Sequence, residues 1–262
     1  MSPMSLCVRK NTNLCKKYLD LEQVLLKKMM RRLCLYTLLW MLIASVLTGC
    51  DNSEIDFPLF CTDFKASFYK IFPDETPLDA HNLQLKKLFI PSKANMDSVR
   101  LFGKQYRAKL KLVDTNAINA AFRPNYFQIQ RILKNVDVFL TNSQINPAAF
   151  NCHVGFHRII KNEDIAPAKR AEILIAKLHF VPTFYENARK NVKMTTIEQA
   201  ELAVNHQIKA FLFFDKELPE FIAKSGYIAP ETPKLLEEAR LAIKDYIGFC
   251  NSLRAEAARR TH

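Results

Sequence analysis

Apolar residues separated by three and four positions recur through most of this chain, and this spacing constrains its fold more than any other feature. An α-helix has about 3.6 residues per turn, so apolar side chains at these intervals share one face. One such row is Phe57, Phe60, Phe64, Phe68 and Ile71. Alternating strand patterns of useful length do not occur, and only 5 of the 262 residues are glycine. The sequence therefore predicts an all-α bundle of roughly seven to nine helices joined by short loops.

Prolines and capping residues give the expected ends of several helices. Thr195 or Thr196 is placed to cap one helix, and Glu198 and Gln199 are placed to complete a capping box. Pro182 is expected to kink or restart its helix, because proline has no N–H to donate. Pro219 is expected to interrupt a later helix, with a short turn following to Lys224. The helices expected on this basis cover 53–72, 83–90, 95–113, 126–140, 147–160, 167–181, 183–192, 196–214 and 233–260.

The last of these helices has its own signals. Thr232 is expected to cap it, and Pro233 occupies its first position, where a missing N–H costs no hydrogen bond. Its apolar face is expected to contain Leu236, Ala239, Leu241, Ile243, Tyr246, Ile247, Phe249 and Leu253. Two earlier helices are likewise expected to turn Leu101 and Phe127 towards the core.

An export signal precedes this helical part of the chain. A basic cluster at 27–32 is followed by an apolar run at 33–47 and then by Thr48-Gly49-Cys50. A charged segment, a short apolar segment and small residues at the cleavage point are the three parts of a secretory signal. The run of 15 residues is shorter than the ~20 residues that a membrane-spanning helix needs. We therefore expect cleavage rather than a permanent transmembrane anchor.

The residues around the cleavage point resemble a bacterial lipobox, which predicts cleavage between Gly49 and Cys50 and lipidation of the Cys50 thiol. Asp51 follows, and in enteric-type bacteria it resembles a signal for retention in the inner membrane. The expected location is thus the cell envelope, at the periplasmic face of the inner membrane. The expected organisation is a signal segment at 1–49, of which 1–28 is an over-called start or a long basic region, a lipid-anchored cysteine with an entry helix at 50–72, and a helical bundle at 73–262.

The charge distribution bears on the partners. The chain has a net charge of +12, but six of these charges lie in 1–49, and the rest are spread along helices without a basic block. Nucleic-acid binding requires a dense basic patch, so it is not expected. The expected partners are the membrane, through the lipid anchor, and a partner protein in the envelope.

Few residues suggest catalytic or metal chemistry. His153 and His157 are four positions apart and share a helix face, which makes them weak candidates for metal ligands, with His179 or His206 as a third ligand. Val154 stands where a zinc peptidase has its catalytic glutamate, so neither a metal nor another cofactor is expected. The mature part keeps Cys61, Cys152 and Cys250, which can form at most one disulfide; Cys152 and Cys250 are expected to be buried apolar residues.

Several helical motifs in the second half resemble a known family. They are Asn146-Pro147-Ala148-Ala149-Phe150-Asn151, Val181-Pro182-Thr183-Phe184, Ala188-Arg189-Lys190-Asn191-Val192, Thr196-Ile197-Glu198-Gln199-Ala200 and Phe211-Leu212-Phe213 before Glu217-Leu218-Pro219. Their order and spacing are similar to the N-terminal helical half of the exported bacterial proteins catalogued as domain of unknown function eight hundred and eighty-five. That family's C-terminal half carries an H-E-x-x-x-x-H zinc motif like that of metallopeptidases. No H-E pair occurs in this chain, so no catalytic residue is carried over.

Two main functions remain open at this point. The first is a non-catalytic, lipid-tethered binding or scaffolding domain, which is not an enzyme by itself. The second is a truncated or split metallopeptidase-like protein whose zinc-binding half comes from another chain. A further alternative, suggested by the 19 phenylalanines, is a pocket for a peptide or a lipid, although aromatic residues at helical spacing usually form core.

Overall fold

The computed structural model describes residues 55–79 and 81–261, all within one compact unit that begins at Ile55. The described residues contain α-helices, short 3₁₀ segments and a π-helical segment, and no β-strand, which confirms the all-α prediction. The α-helices are α1 (Phe57–Ile71), α2 (Lys93–Lys111), α3 (Arg123–Ile145), α4 (His153–Ile160), α5 (Pro167–Leu178), α6 (Val181–Asn191), α7 (Ile197–Leu212), α8 (Leu218–Lys224) and α9 (Thr232–Thr261).

The helices surround two hydrophobic clusters. The smaller cluster, called the small core here, is formed by α1, α2 and α3 and is rich in phenylalanine. The larger cluster, called the large core, is formed by α4 to α9 together with the segment 85–88. Phe139 of α3 packs against both clusters, so it lies at their junction. Its ring lies 5.8 Å from the ring of Phe89 and 6.4 Å from that of Phe150.

In the small core, α1 and α2 run antiparallel. The Phe64 ring lies 5.1 Å from Tyr106, and the Phe68 ring lies 6.2 Å from Phe102, so later residues of α1 meet earlier residues of α2. Phe57 in the first turn of α1 lies 6.1 Å from Tyr126 in the first turn of α3. The start of α1, the end of α2 and the start of α3 therefore lie at the same end of the small core.

Pro219 does not interrupt its helix, contrary to the prediction. A π-helical segment, Phe213–Glu217, joins α7 to α8, and Pro219 lies in the first turn of α8. Proline removes one backbone hydrogen bond and crowds the carbonyl four residues earlier. The wider π turn relieves this crowding, as π segments do at points of helix strain. The helix thus continues from Ile197 to Lys224.

Other predicted helices are shorter than expected. The segment 83–90 contains only a 3₁₀ turn, Leu83–Lys86, and the segment 147–160 divides into a 3₁₀ turn, Pro147–Ala149, and α4. Asn146 and Asn151 explain the division, because their side-chain oxygens accept hydrogen bonds from Ala148 N at 2.9 Å and His153 N at 3.3 Å. Such local bonds compete with helix formation.

The helix caps and faces match the prediction in part. The capping box of Thr196 and Gln199 is present. The predicted cap at Thr232 is wrong: Thr232 is the first residue of α9, and its hydroxyl is buried without a hydrogen-bond partner. Leu101, Phe127 and Leu241 were expected in the core and are at least half exposed.

Between residues 55 and 261, leaving out residue 80, none of the helices combines the length and apolar character needed to span a bilayer.

Candidate functional site

Gly49, Cys50 and Asp51, which are the predicted cleavage, lipidation and sorting residues, lie outside the described residues. The structure describes the element that follows it. Asp56 caps α1, and its carboxylate accepts a hydrogen bond from Leu59 N at 3.2 Å. Six positions of chain therefore separate the predicted lipid-bearing residue from the first helix cap.

His153 and His157 lie on one face of α4, as predicted, and both rings contact Phe213. The ring centroids are 5.9 and 6.1 Å from the phenylalanine ring. The Nδ1 atom of His153 lies 2.6 Å from the side-chain oxygen of Asn151. Among the residues that the structure describes, no group of three His, Cys, Asp or Glu side chains is placed to hold a metal ion.

The electrostatics around His153 disfavour its charged form. Burial is the main cause of a pKa below the ordinary value, and His157 and His206 add to the effect by their positive charges. Lys209 acts in the same direction, while Glu217 opposes it. His153 is therefore a half-buried side chain that packs against an aromatic ring and whose neutral form is favoured.

The three cysteines of the described part are free thiols in the core. Burial raises the pKa of Cys152 and of Cys250 to about 12, and it also raises the pKa of Cys61. A nucleophilic cysteine needs the opposite change, because the thiolate is the reactive form. Cys152 and Cys250 thus pack as small apolar residues, as the sequence indicated.

A buried ion pair in the large core was not predicted. Lys177 of α5 is 1% exposed, and its ammonium lies 2.6 Å from Asp74 Oδ1 and 2.5 Å from the carbonyl oxygen of Lys87. Asp74 Oδ2 accepts a hydrogen bond from Phe89 N at 3.1 Å. The Lys177 ammonium also lies 5.9 Å from the centre of the Phe156 ring. Both charges therefore have partners, as buried charges require.

Arg158 extends this network from α4. Its guanidinium donates hydrogen bonds to the carbonyl oxygens of Asp74 and Thr76, the latter at 2.9 Å. The close approach of α4 depends on Gly155, since a Cβ there would lie 3.0 Å from Asp74 Oδ1. Lys177 and Arg158 thus bind the turn at 73–76 to α5 and α4, which makes the network a structural clamp.

A second polar network lies deeper in the large core. The Cys152 thiol donates to Tyr185 Oη at 3.6 Å, Tyr185 donates to Gln207 Oε1 at 2.7 Å, and Gln207 Nε2 donates to the carbonyl oxygen of Phe150 at 2.7 Å. Tyr246 Oη donates to the carbonyl oxygen of Pro147 at 3.0 Å. Two backbone carbonyl oxygens of the loop before α4 thus have side-chain donors. Tyr185 and Gln207 are buried, and their polar groups bond to protein atoms.

The surface offers a groove between α1, α2 and the segment 87–90, called the α1–α2 groove here. Its volume is about 510 Å³. Its lining contains apolar side chains together with Lys70, Lys87 and Lys109. The other lining residues are Ser67, Ile71, Pro73, Leu88, Phe89, Ile90, Asn95, Ser98, Leu101, Phe102, Gln105 and Tyr106. This combination suits a ligand that has an apolar part and a negative charge.

A second groove of about 440 Å³ lies between α6 and α9. Its lining contains three acids, Glu186, Glu238 and Asp245, and one arginine, Arg189. Arg189 packs over the ring of Phe249 at 5.4 Å, and Glu186 binds Lys190 at 2.6 Å. These charges are thus partly engaged with their own surroundings, as is Lys109 of the α1–α2 groove, which lies 3.2 Å from Asp63. The α1–α2 groove is the better candidate for ligand binding because its lining contains three lysines and no acid, so its charges have one sign.

Comparisons with known proteins give one similarity of fold. No protein-family model and no curated protein matches the chain. Among solved structures, the fold is similar to that of a protein from Shewanella oneidensis described as a candidate lipoprotein of unknown function, with a TM-score of 0.66 and 24% sequence identity. The match covers 79% of this chain and 39% of the other, so this chain spans well under half of that protein's length.

Proposed function

We propose that this chain is a lipid-anchored protein of the bacterial cell envelope whose helical domain is a non-catalytic binding or scaffolding domain. The observation that carries the proposal is the signal ending at Cys50, which is followed within six positions by the cap of α1 at Asp56. The fold that it shares with a candidate lipoprotein supports the same assignment. Asp51 favours the periplasmic face of the inner membrane as the location.

A binding role agrees with the hydrogen bonds of the buried polar side chains, which join parts of the protein to one another. Lys177 and Asp74 hold a turn against two helices, and Tyr185 and Gln207 satisfy a loop inside the large core. These groups therefore stabilise the fold instead of facing a substrate. The α1–α2 groove is open at the surface, and we assign ligand binding to it.

The anchor is tested with Cys50→Ala in the full chain expressed in a bacterial host. The variant should lose the lipid mass at residue 50 and remain joined to the signal segment, because the lipobox that directs cleavage has lost its cysteine. Cys34→Ala is the matched control, because it removes a thiol from the signal and leaves the cleavage residues intact. If mass spectrometry found residue 50 of the wild type unmodified and still joined to Gly49, the proposed anchor would be wrong.

The groove is tested by ligand binding to the same protein. A panel of anionic amphiphiles and acidic peptides should contain a compound that raises the melting temperature, and Leu101→Asp should abolish that shift, because Leu101 is exposed in the groove lining. Leu202→Asp is the control, since Leu202 is an exposed leucine of α7 outside this groove. Equal loss of binding in both variants would contradict the assignment.

The second candidate function is a metallopeptidase-like protein whose zinc-binding half is supplied by another chain. The family resemblance of the motifs between residues 146 and 219 favours it, as does the large part of the Shewanella oneidensis protein that lies outside the match. Under this proposal the chain belongs to that exported family. A neighbouring reading frame with an H-E-x-x-x-x-H motif, whose product co-purifies with this chain and zinc, would support it. If this chain were purified from native membranes without any such partner and without zinc, the result would count against this second function.

A further inference from the structure

Three exposed apolar side chains lie at one end of the small core. They are Leu59 in the first turn of α1, Leu112 at the end of α2 and Phe127 near the start of α3, with exposed fractions of 67%, 74% and 65%. The contacts of Phe57 with Tyr126 and of Lys109 with Asp63 place these helix ends together. We call this end the tether end, defined by Leu59, Leu112 and Phe127.

The tether end is close in sequence to the proposed anchor. Six Cα–Cα steps separate Cys50 from Asp56, and even a fully extended chain of this length spans only about 20 Å. A lipid on Cys50 therefore keeps the first turn of α1 within that distance of the bilayer. No comparable restraint acts on α9, which packs in the large core.

We infer that the tether end lies on the membrane and inserts Leu59, Leu112 and Phe127 into its interfacial region. This inference rests on the proposed lipid anchor. Single exposed apolar side chains are ordinary on protein surfaces, but three large ones at the end next to a lipid anchor form a contact for a bilayer. An aromatic ring at the headgroup level is a common feature of such contacts.

Charge makes a small contribution to this contact. Lys111 and Arg123 are exposed at the tether end, but Asp56 and Asp114 lie there as well. The opposing signs largely cancel, so apolar insertion is the main attraction. The depth of insertion is therefore expected to depend little on the anionic lipid content of the membrane.

Tryptophan fluorescence tests the inference on the full lipoprotein. The chain has one tryptophan, Trp40, which lies upstream of Cys50, so the mature form has none. Phe127→Trp in a Trp40→Phe background gives a single reporter at the tether end. Leu241→Trp in the same background gives a matched reporter on α9, at a leucine that is 50% exposed.

Each purified protein is reconstituted into phosphatidylcholine vesicles with bromine on the acyl chains. Emission from Phe127→Trp should be quenched and shifted to shorter wavelength, whereas emission from Leu241→Trp should be unchanged. Lipidated protein with no quenching at position 127, or with equal quenching at both positions, would overturn the inference and leave the anchor intact. Absence of lipid on Cys50, measured by mass on the same samples, would overturn the anchor and the inference together.

Discussion

The ammonium of Lys177 lies 2.6 Å from the carboxylate of Asp74, although 103 positions of sequence separate the two residues. The pair joins the turn after α1 to the last turn of α5. It thus connects the segment between the first two helices of the small core to a helix of the large core. Lys177 is almost completely buried, whereas the Asp74 side chain is 23% exposed, so only the lysine side of the pair is shielded from water.

Replacement of Lys177 should destabilise the protein strongly. Lys177→Met keeps the length of the side chain but removes the partner of Asp74 and of the Lys87 carbonyl. Breaking a fully buried pair from one side typically costs about 3–5 kcal/mol, and because the Asp74 side chain is 23% exposed we expect a loss at the lower end of that range. Chemical denaturation of the purified protein measures the loss in the free energy of unfolding.

The matched control for this prediction is Lys169→Met, because Lys169 pairs with Glu172 at 2.8 Å on a partly exposed surface. Pairs of this kind contribute less than about 1 kcal/mol. Equal stability losses in the two variants would show that the buried position of Lys177 has no special role.

Two glycines should respond in opposite directions to substitution by alanine. Gly248 lies within α9 with open space around its Cα, so Gly248→Ala should raise the free energy of unfolding by about 0.5–1 kcal/mol. Gly226 has equal space but a φ of +76°, so Gly226→Ala should lower it by about 1 kcal/mol. Thermal denaturation of both variants checks the prediction. A gain at both positions would contradict the backbone argument.

The thiols of the mature protein should be unreactive in the folded state. Cys61, Cys152 and Cys250 are buried, and their raised pKa values leave little thiolate at neutral pH. Titration with a thiol reagent at pH 8 should therefore give no rapid reaction before denaturation and three reactive thiols after it. Fewer thiols after denaturation without reductant would indicate a disulfide, in disagreement with the structure.

The stability contributed by His153 should decrease as the pH falls. Its pKa in the folded protein is lower than in the unfolded chain, so the unfolded state binds the proton more readily. The contribution is complete above the unfolded pKa of about 6.5 and is lost as the pH falls through the lower folded value. His153→Gln should flatten this part of the curve of unfolding free energy against pH, whereas the exposed His179→Gln should not. Identical curves for the two variants would refute the prediction.

The helical architecture could be predicted because its signals are local. Apolar residues at helical spacing mark the buried face of α1, and Thr196 with Gln199 marks the start of α7. Local patterns have a limit, however. Phe127 fits the apolar pattern of α3 but is 65% exposed: its neighbour Tyr126 meets Phe57, and none of the elements between residues 55 and 261 that the structure describes covers the ring of Phe127.

The clamp around Asp74 could not be predicted because its partners are distant in sequence. A lysine within a helix is usually exposed, and only the arrival of the turn at 73–76 makes Lys177 an internal partner. The sequence shows that Lys177 has apolar neighbours and that a short Pro-Asp-Glu-Thr-Pro turn contains Asp74. Neither pattern predicts that these two residues form a pair. The continuity of α7 and α8 past Pro219 was unpredictable for a different reason, since a π segment leaves no simple sequence pattern.

Phe139 has a mechanical consequence for a protein held at one end. Its ring meets Phe89 in the segment before α2 and Phe150 in the loop before α4, so it belongs to both cores. A pulling force that enters at the start of α1 would reach the large core through this junction of aromatic rings. The helices of the small core and those of the large core should consequently unfold together under such a load. A smaller side chain at position 139 would let α1, α2 and α3 unfold before the helices of the large core.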